Sequence, residues 1–217
     1  MSLGSPFLVV INFASSNGIF SVSSVSSWSS RKKTHAWQPL TVSNLNYLWC
    51  LDLPSRIAIF AWRFFVSRLP TIDSLIARGI GNISSPRCVL CDDQPESLNH
   101  LFFNCEASKK VWEWIYGWIG DKVPFSLEDF KDFQQVHVKV KSTKVRTKIQ
   151  FIWLSLIWSI WRMRNSRIFE QVLFSFEVVV YNVMFLSWSW LGRIRGSISL
   201  PTFYEWYKYP MDCFHNL

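Results

Sequence analysis

At 217 residues, with 49% apolar and only 18% charged side chains, the chain is long enough to bury a core and too apolar for a disordered tail. Its formal charge of +8, from 23 Lys and Arg against 15 Asp and Glu, favours an acidic partner such as nucleic acid, though charge balance alone is weak evidence. Thirteen tryptophans and eighteen phenylalanines exceed what solubility favours, so part of that aromatic surface is expected to meet a protein partner.

Residues 1–48 read as an extended, low-complexity lead-in. Within it Ser16-Asn17-Gly18 is a turn signal, and Ile19-Phe20-Ser21-Val22 alternates like a short strand. The serine run Ser21–Ser30 leads to Arg31-Lys32-Lys33, which reads as a solvated basic loop. No positively charged region precedes Phe7–Ile11, so a cleaved secretory leader is not expected.

Residues 49–120 carry the first ordered block. Leu53-Pro54-Ser55 opens a helix whose Ile57, Phe60, Ala61, Phe64 and Phe65 recur at helical spacing until Pro70 ends it. Thr71 is placed to cap a short helix bearing Ile72, Leu75 and Ile76, with Gly79 as its stop. After a loop, Cys88, Cys91, His100 and Cys105 follow in the order C-x2-C-x8-H-x4-C. A close cysteine pair followed by a His/Cys pair presents four ligands to one tetrahedral zinc ion. Four protein ligands leave no open position for an activated water, so one structural Zn2+ is expected, a staple rather than a catalyst. The competing reading, buried metal-free residues, does not explain three cysteines so close together. Cys50 and Cys213 lie far apart, which argues for a reducing, intracellular compartment, nuclear or cytoplasmic, without a disulfide framework. A helix from Glu106 then places Val111, Trp114, Ile115, Trp118 and Ile119 on one stripe, read as core.

Gly120 and Pro124 break the chain into a linker, residues 121–142, before a helical C-terminal region, residues 143–217. There Ile149, Ile152, Trp153, Leu156, Ile160 and Trp161 form a wide apolar face. It is preceded by the basic stretch Lys139–Lys148 and followed by Arg162, Arg164 and Arg167. A last helix is expected near Ser175–Arg195, ahead of the aromatic tail Tyr204–Tyr207. Val172–Leu191 approaches the ~20 apolar residues that span a bilayer. Ser175, Glu177, Asn182, Ser187 and Ser189 argue instead for a buried helix with one wetter face, so no membrane contact is expected. The fold class is mainly α: a small helical zinc-binding domain (CCHC) followed by a helical C-terminal block.

Taken together, Trp49, Leu53-Pro54, Phe60-Ala61-Trp62-Arg63, Arg68-Leu69-Pro70-Thr71, Leu75 and Arg78-Gly79 precede the cysteine pair in order. Glu96-Ser97, His100-Leu101-Phe102-Phe103-x-Cys105 and Val111-Trp112 complete the series. This series resembles the zinc-binding domain at the C-terminal end of plant non-LTR (LINE-type) retrotransposon reverse transcriptases. Asn17–Val22 upstream fits the strand leading into that domain, and Ile157–Asn165 resembles the tryptophan- and Arg-Asn-containing segment after it. The resemblance implies a nucleic-acid-associated module detached from its polymerase, a degenerate element fragment or a host gene built from one. No Tyr-x-Asp-Asp-type pair is present, so two-metal nucleotidyl transfer has no carboxylates to run on.

Three functions compete on these residues. A zinc-stapled nucleic-acid-binding module would use Arg56, Arg63 and Arg68, with Arg78 and Arg87 flanking the zinc loop and Lys109 and Lys110 after it. Trp62 and Phe102 are candidates to stack on bases, against the plainer reading that both are core. A protein-interaction module would use the aromatic surface instead. A nuclease built on Asp129-Phe130-Lys131, with Asp121 and Glu128 nearby, lacks supporting context. His35, His137 and His215 have no recognisable acid or nucleophile partner, and no enzyme is expected. Asp92-Asp93, Glu96 and Glu106 put negative charge around the zinc loop and would repel phosphate there. The loop is therefore expected to brace the arginine-bearing first helix, which, or the Lys139–Lys148 stretch, meets the nucleic acid.

Overall fold

Helices α1 (Pro39–Trp49), α2 (Ser55–Phe65), α3 (Ile72–Ile76) and α4 (Glu106–Ile119) precede a second set comprising α5 (Thr143–Phe169), α6 (Phe176–Leu191), α7 (Phe203–Lys208) and α8 (Pro210–His215). A π-type turn, His100–Asn104, lies just ahead of α4. The computed structural model describes residues 39–80, 83, 85–120, 140–194 and 200–215, and all of them fall in one compact unit. Among them only an isolated bridge, Arg87 to Pro95, has strand-like pairing. The expected strand at 19–22, the Arg31–Lys33 cluster, Asp121, Glu128, the Asp129–Lys131 triplet, His35, His137 and Lys139 lie outside the described residues. The lead-in expected through residue 48 gives way earlier, because residues 39–48 already belong to α1, with Pro39 at its first position.

α2 buries the five side chains its spacing selects: Ile57, Phe60, Ala61, Phe64 and Phe65. Pro70 does not end it. Ser67 takes a left-handed conformation at φ 52°, and Arg68 N–H reaches back to Arg63 O at 2.7 Å while Ser67 N–H bonds Phe64 O at 3.0 Å. That is a Schellman stop with serine in the place glycine usually fills. Gly79, at φ 65°, closes α3 in the same way, as its position after Ile76 implies.

α5 is the axis of this unit. From Lys148 to Ile157 every residue is buried, and Ser159, Ile160, Trp161, Met163 and Arg164 continue the burial. Apolarity around the whole circumference, rather than along one stripe, is the pattern of a helix surrounded by partners. Those partners come from both expected blocks. Trp153 stacks on Phe65, 5.8 Å between ring centroids and 4° from parallel, and meets Phe64 edge-on at 5.6 Å. Phe60 lies edge-on to Trp158 at 5.0 Å, while Phe151 meets Trp190 of α6 at 5.9 Å. The Ser155 hydroxyl donates to Val183 O at 3.1 Å, tying α5 to α6. The zinc-loop half and the C-terminal half therefore share one aromatic core, and Trp112, Trp153, Trp161, Trp190 and Trp206 are buried in it. Much of the aromatic excess is core rather than partner surface.

The tail folds back over the same core. α7 begins with a capping box between Thr202 and Glu205, whose carboxyl is held below its usual range by the Thr202 backbone and hydroxyl donors. Trp206 is fully buried, donating its indole N–H to Ser187 Oγ at 3.1 Å. Trp118 donates to Tyr207 O at 2.8 Å. The predicted stripe on α4 shifts accordingly. Ser108, Val111, Trp112, Ile115 and Ile119 are buried, whereas Trp114 is exposed and Trp118 only half-buried. No helix among the described residues is long and apolar enough to cross a membrane.

Candidate metal centre

Cys88 and Cys91 sit on a tight turn whose flanks pair across it. Cys88 N–H bonds Gln94 O at 2.8 Å, Glu96 N–H bonds Pro86 O at 2.8 Å, and Asp92 N–H bonds Cys88 O at 2.8 Å. Asp92, at φ 55°, supplies the left-handed residue that reverses the chain. His100 and Cys105 are five apart, one too many for a common α-helical face. The π-type turn absorbs the extra residue: Cys105 N–H bonds His100 O at 2.6 Å, which brings the two ligands to the same side. The widened turn leaves carbonyls without helical partners, and α4 supplies them. Ser108 Oγ donates to Leu101 O at 2.6 Å, and Trp112 Nε1 donates to Phe102 O at 2.7 Å.

The ligand atoms of Cys88, Cys91, His100 and Cys105 all lie within 4.8 Å of one another. Cys88 Sγ and Cys105 Sγ are 3.9 Å apart, and Cys91 Sγ is 3.3 Å from His100 Nε2. A zinc ion with Zn–S near 2.3 Å and Zn–N near 2.0 Å sets tetrahedral edges of about 3.5–3.8 Å. The donor set and the spacing both fit one zinc ion. Cys105 is shifted downward, first by the hydrogen bond from Cys88 and then by the N–H groups of Ser108 and Ala107 at the start of α4, against the opposing effect of burial. Cys88 shifts upward, because its proton bridges to Cys105 and burial penalises its anion. Zinc would take the place of that shared proton and supply the charge that lets both sulfurs ionise.

Two arginines of α5 hold the metal loop from behind. Glu96 is 0% exposed and Arg164 3%, and their pair is two-pronged: Nη2 to Oε1 at 2.7 Å and Nε to Oε2 at 3.3 Å. The same Oε1 accepts Ile72 N–H at 2.9 Å, and Glu96 O accepts Asp73 N–H at 3.2 Å. Glu96, not Thr71, therefore supplies the side-chain cap of α3, and the Thr71 hydroxyl turns to Asp73 instead. One turn along α5, Arg167 Nε donates to Val89 O at 2.6 Å, gripping the turn between the two cysteines. Arg164 also lies over the Trp161 ring at 4.9 Å.

Sequence reasoning missed this clamp, although both sides of it were in view. Arg164 follows Trp161 by three and Ile160 by four, so it continues the apolar face of α5, where a lone charge needs a buried counter-ion. Glu96 is that counter-ion and drops out of the acidic field around the loop, which keeps the exposed Asp92, Asp93 and Glu106.

The remaining sequence-predicted residues do not converge on one site. Arg56, Arg68, Arg78 and Lys109 are exposed, and Arg63 is half-buried on the α2 face that also bears Arg56 and exposed Ile59. Arg87 is partly committed to Asp92 O at 3.4 Å, and Lys110 lies 3.9 Å from Glu106. Phe102 is fully buried against Phe64, 4.9 Å between centroids, so it is core and not a base-stacking surface. Trp62 is half-buried, with an indole N–H that meets no acceptor among the described residues. In the Lys139–Lys148 stretch, Lys148 is buried and donates to Cys213 O at 2.6 Å, which removes it from any phosphate-facing surface.

Residues 20–112 match the model of a protein family described as zinc-binding in reverse transcriptase. No curated protein and no solved structure matches the chain significantly. The matched segment contains all four ligands of the cluster.

Proposed function

Starting from a reverse-transcriptase zinc-binding segment as premise, we propose that this chain is a zinc-stapled nucleic-acid-binding module of non-LTR, LINE-type ancestry. It carries no nucleotidyl-transfer activity of its own in this reading. The observation that carries the proposal is the four-ligand cluster lying within the matched segment. The family is a zinc-binding accessory to an enzyme that works on RNA and DNA. The charge of +8 supports the same reading, as do exposed Arg56, Arg68, Arg78 and Lys109, none of which has a carboxylate partner among the described residues. Zinc holds the knuckle, the knuckle and Glu96 hold α3, and the basic residues ride on that frame.

Titration of the zinc-loaded chain with single-stranded RNA and matched DNA across a salt series tests the reading. Affinity should fall steeply with salt, by about 0.7 in log K per log salt for each phosphate neutralised on a single strand, and should vanish on chelation. Arg63→Ala should weaken binding while sparing zinc. Absence of binding at low salt would overturn the proposal.

A second reading, a protein-docking module, is favoured by one feature. Tyr181 and Phe185 of α6 stack at 6.1 Å and, although Phe203 of α7 packs against both, they stay 53% and 41% exposed. Docking through them would be insensitive to salt, which separates the two readings.

A further inference from the structure

A cleft lies away from the zinc centre, where the C-terminal end of α1 faces the N-terminal end of α5 and the end of α6. Its volume is about 610 Å³. That volume falls within the roughly 300–1,000 Å³ of sites that take small ligands or part of a polymer. Its walls combine three chemistries. Half-buried Trp49 is aromatic, with core residue Phe151 behind the lining, Lys144 and Arg193 are cationic, and Thr143 and Thr147 bring hydroxyls. Asp52 is the one carboxylate of the lining, and it is paired with Arg193 at 3.2 Å. Both members of that pair are exposed to water, so the pairing is weak and Arg193 is free to exchange it for a phosphate.

Resting on the nucleic-acid reading above, we propose that this cleft is the seat of a single nucleic-acid strand, with Trp49 as the stacking surface and Lys144 and Arg193 on the phosphates. An aromatic wall beside paired cations is how sequence-tolerant single-strand binders work: bases stack on the ring while the backbone tracks the charge. The arginines proposed from sequence are dispersed over α2 and the loops, and none of them lines this cleft. Base reading is not part of the proposal. With Lys144 and Arg193 committed to phosphates and Trp49 to stacking, the strand is bound by backbone and stacking.

The cleft carries its own reporter. Cys50 is exposed on its wall, whereas Cys213 is buried and the other three thiols belong to the zinc cluster. The full zinc-loaded chain is treated with a thiol alkylator, alone and with saturating oligouridylate or oligothymidylate, and the modified peptide is quantified by mass. A bound strand should slow Cys50 alkylation at least about tenfold. Lys144→Gln with Arg193→Gln should weaken binding about tenfold and reduce the salt slope by about 1.4, at 0.7 per lost contact, with zinc content unchanged. If the oligonucleotide binds with salt-dependent affinity while Cys50 reacts at its free rate and the double variant binds like the parent, the strand lies elsewhere. The cleft proposal then falls and the nucleic-acid reading stands. If no oligonucleotide binds, both fall.

Discussion

Replacing Arg164 by methionine should be among the most damaging single changes outside the metal ligands. The guanidinium makes both prongs of the pair to Glu96, and methionine fills similar volume without charge, so the substitution isolates electrostatics from cavity formation. It leaves the Glu96 carboxylate, 0% exposed, with Ile72 N–H as its one remaining described donor. Breaking one side of a buried pair costs about 3–5 kcal/mol, because the orphaned charge remains desolvated. For a chain of this size that corresponds to a fall in melting temperature of about 6–20 °C. The assay is urea and thermal unfolding of the zinc-loaded protein, run with Glu96→Gln and the double variant as a cycle. Glutamine keeps an acceptor for Ile72 N–H but carries no charge, so in the Arg164→Met background it should restore stability. A loss below about 1 kcal/mol for Arg164→Met, or no recovery in the double variant, would refute the reasoning that a buried charge pair ties the metal loop to α5.

Further outcomes follow from other parts of the structure. His100→Ala should lose stoichiometric zinc, measured by atomic emission, and unfold the 86–105 region, because ligand binding is folding energy in such sites. Trp112→Phe keeps the ring but strands the Phe102 carbonyl, and should cost about 1–3 kcal/mol in a urea melt. Ser67→Gly should stabilise the chain by about 1 kcal/mol, since only a side chain makes φ 52° unfavourable there. Lys148 is pushed down to about 8 from 10.5, chiefly by burial and further by Lys144, against the opposing pull of nearby Cys213. The unfolded chain then holds that proton more tightly, so stability should rise as pH goes from about 8 to 10.5, by on the order of 3 kcal/mol at most. Unfolding midpoints across that window should flatten in Lys148→Met.

What could be read from the residues was whatever is local. The burial pattern of α2, the glycine stop of α3 and the metal-ligand spacing all follow from periodicity or short-range chemistry. The helix stop at Ser67 was not legible, because nothing in its type marks it for a left-handed backbone and Pro70 offered a more obvious signal. Trp114 and Trp118 were assigned to the core on spacing alone, yet Trp112 takes the central place because its indole N–H finds the carbonyl that the π-type turn releases. The α5 clamp needed tertiary information. Glu96 and Arg164 are sixty-eight residues apart, and only the folded chain shows that each is the other's counter-ion.

That span has a consequence for what counts as a unit. The family match stops at residue 112, but the physics does not. A piece cut after Gly120 would keep all four ligands and still lose the guanidinium that neutralises Glu96, the Arg167 grip on Val89 and the Trp153 ring against Phe64 and Phe65. It would be a zinc knuckle with an uncovered aromatic face and a stranded charge. Without the helix behind it, the knuckle would stand with that face and that charge open to water, so the folding unit is the pair.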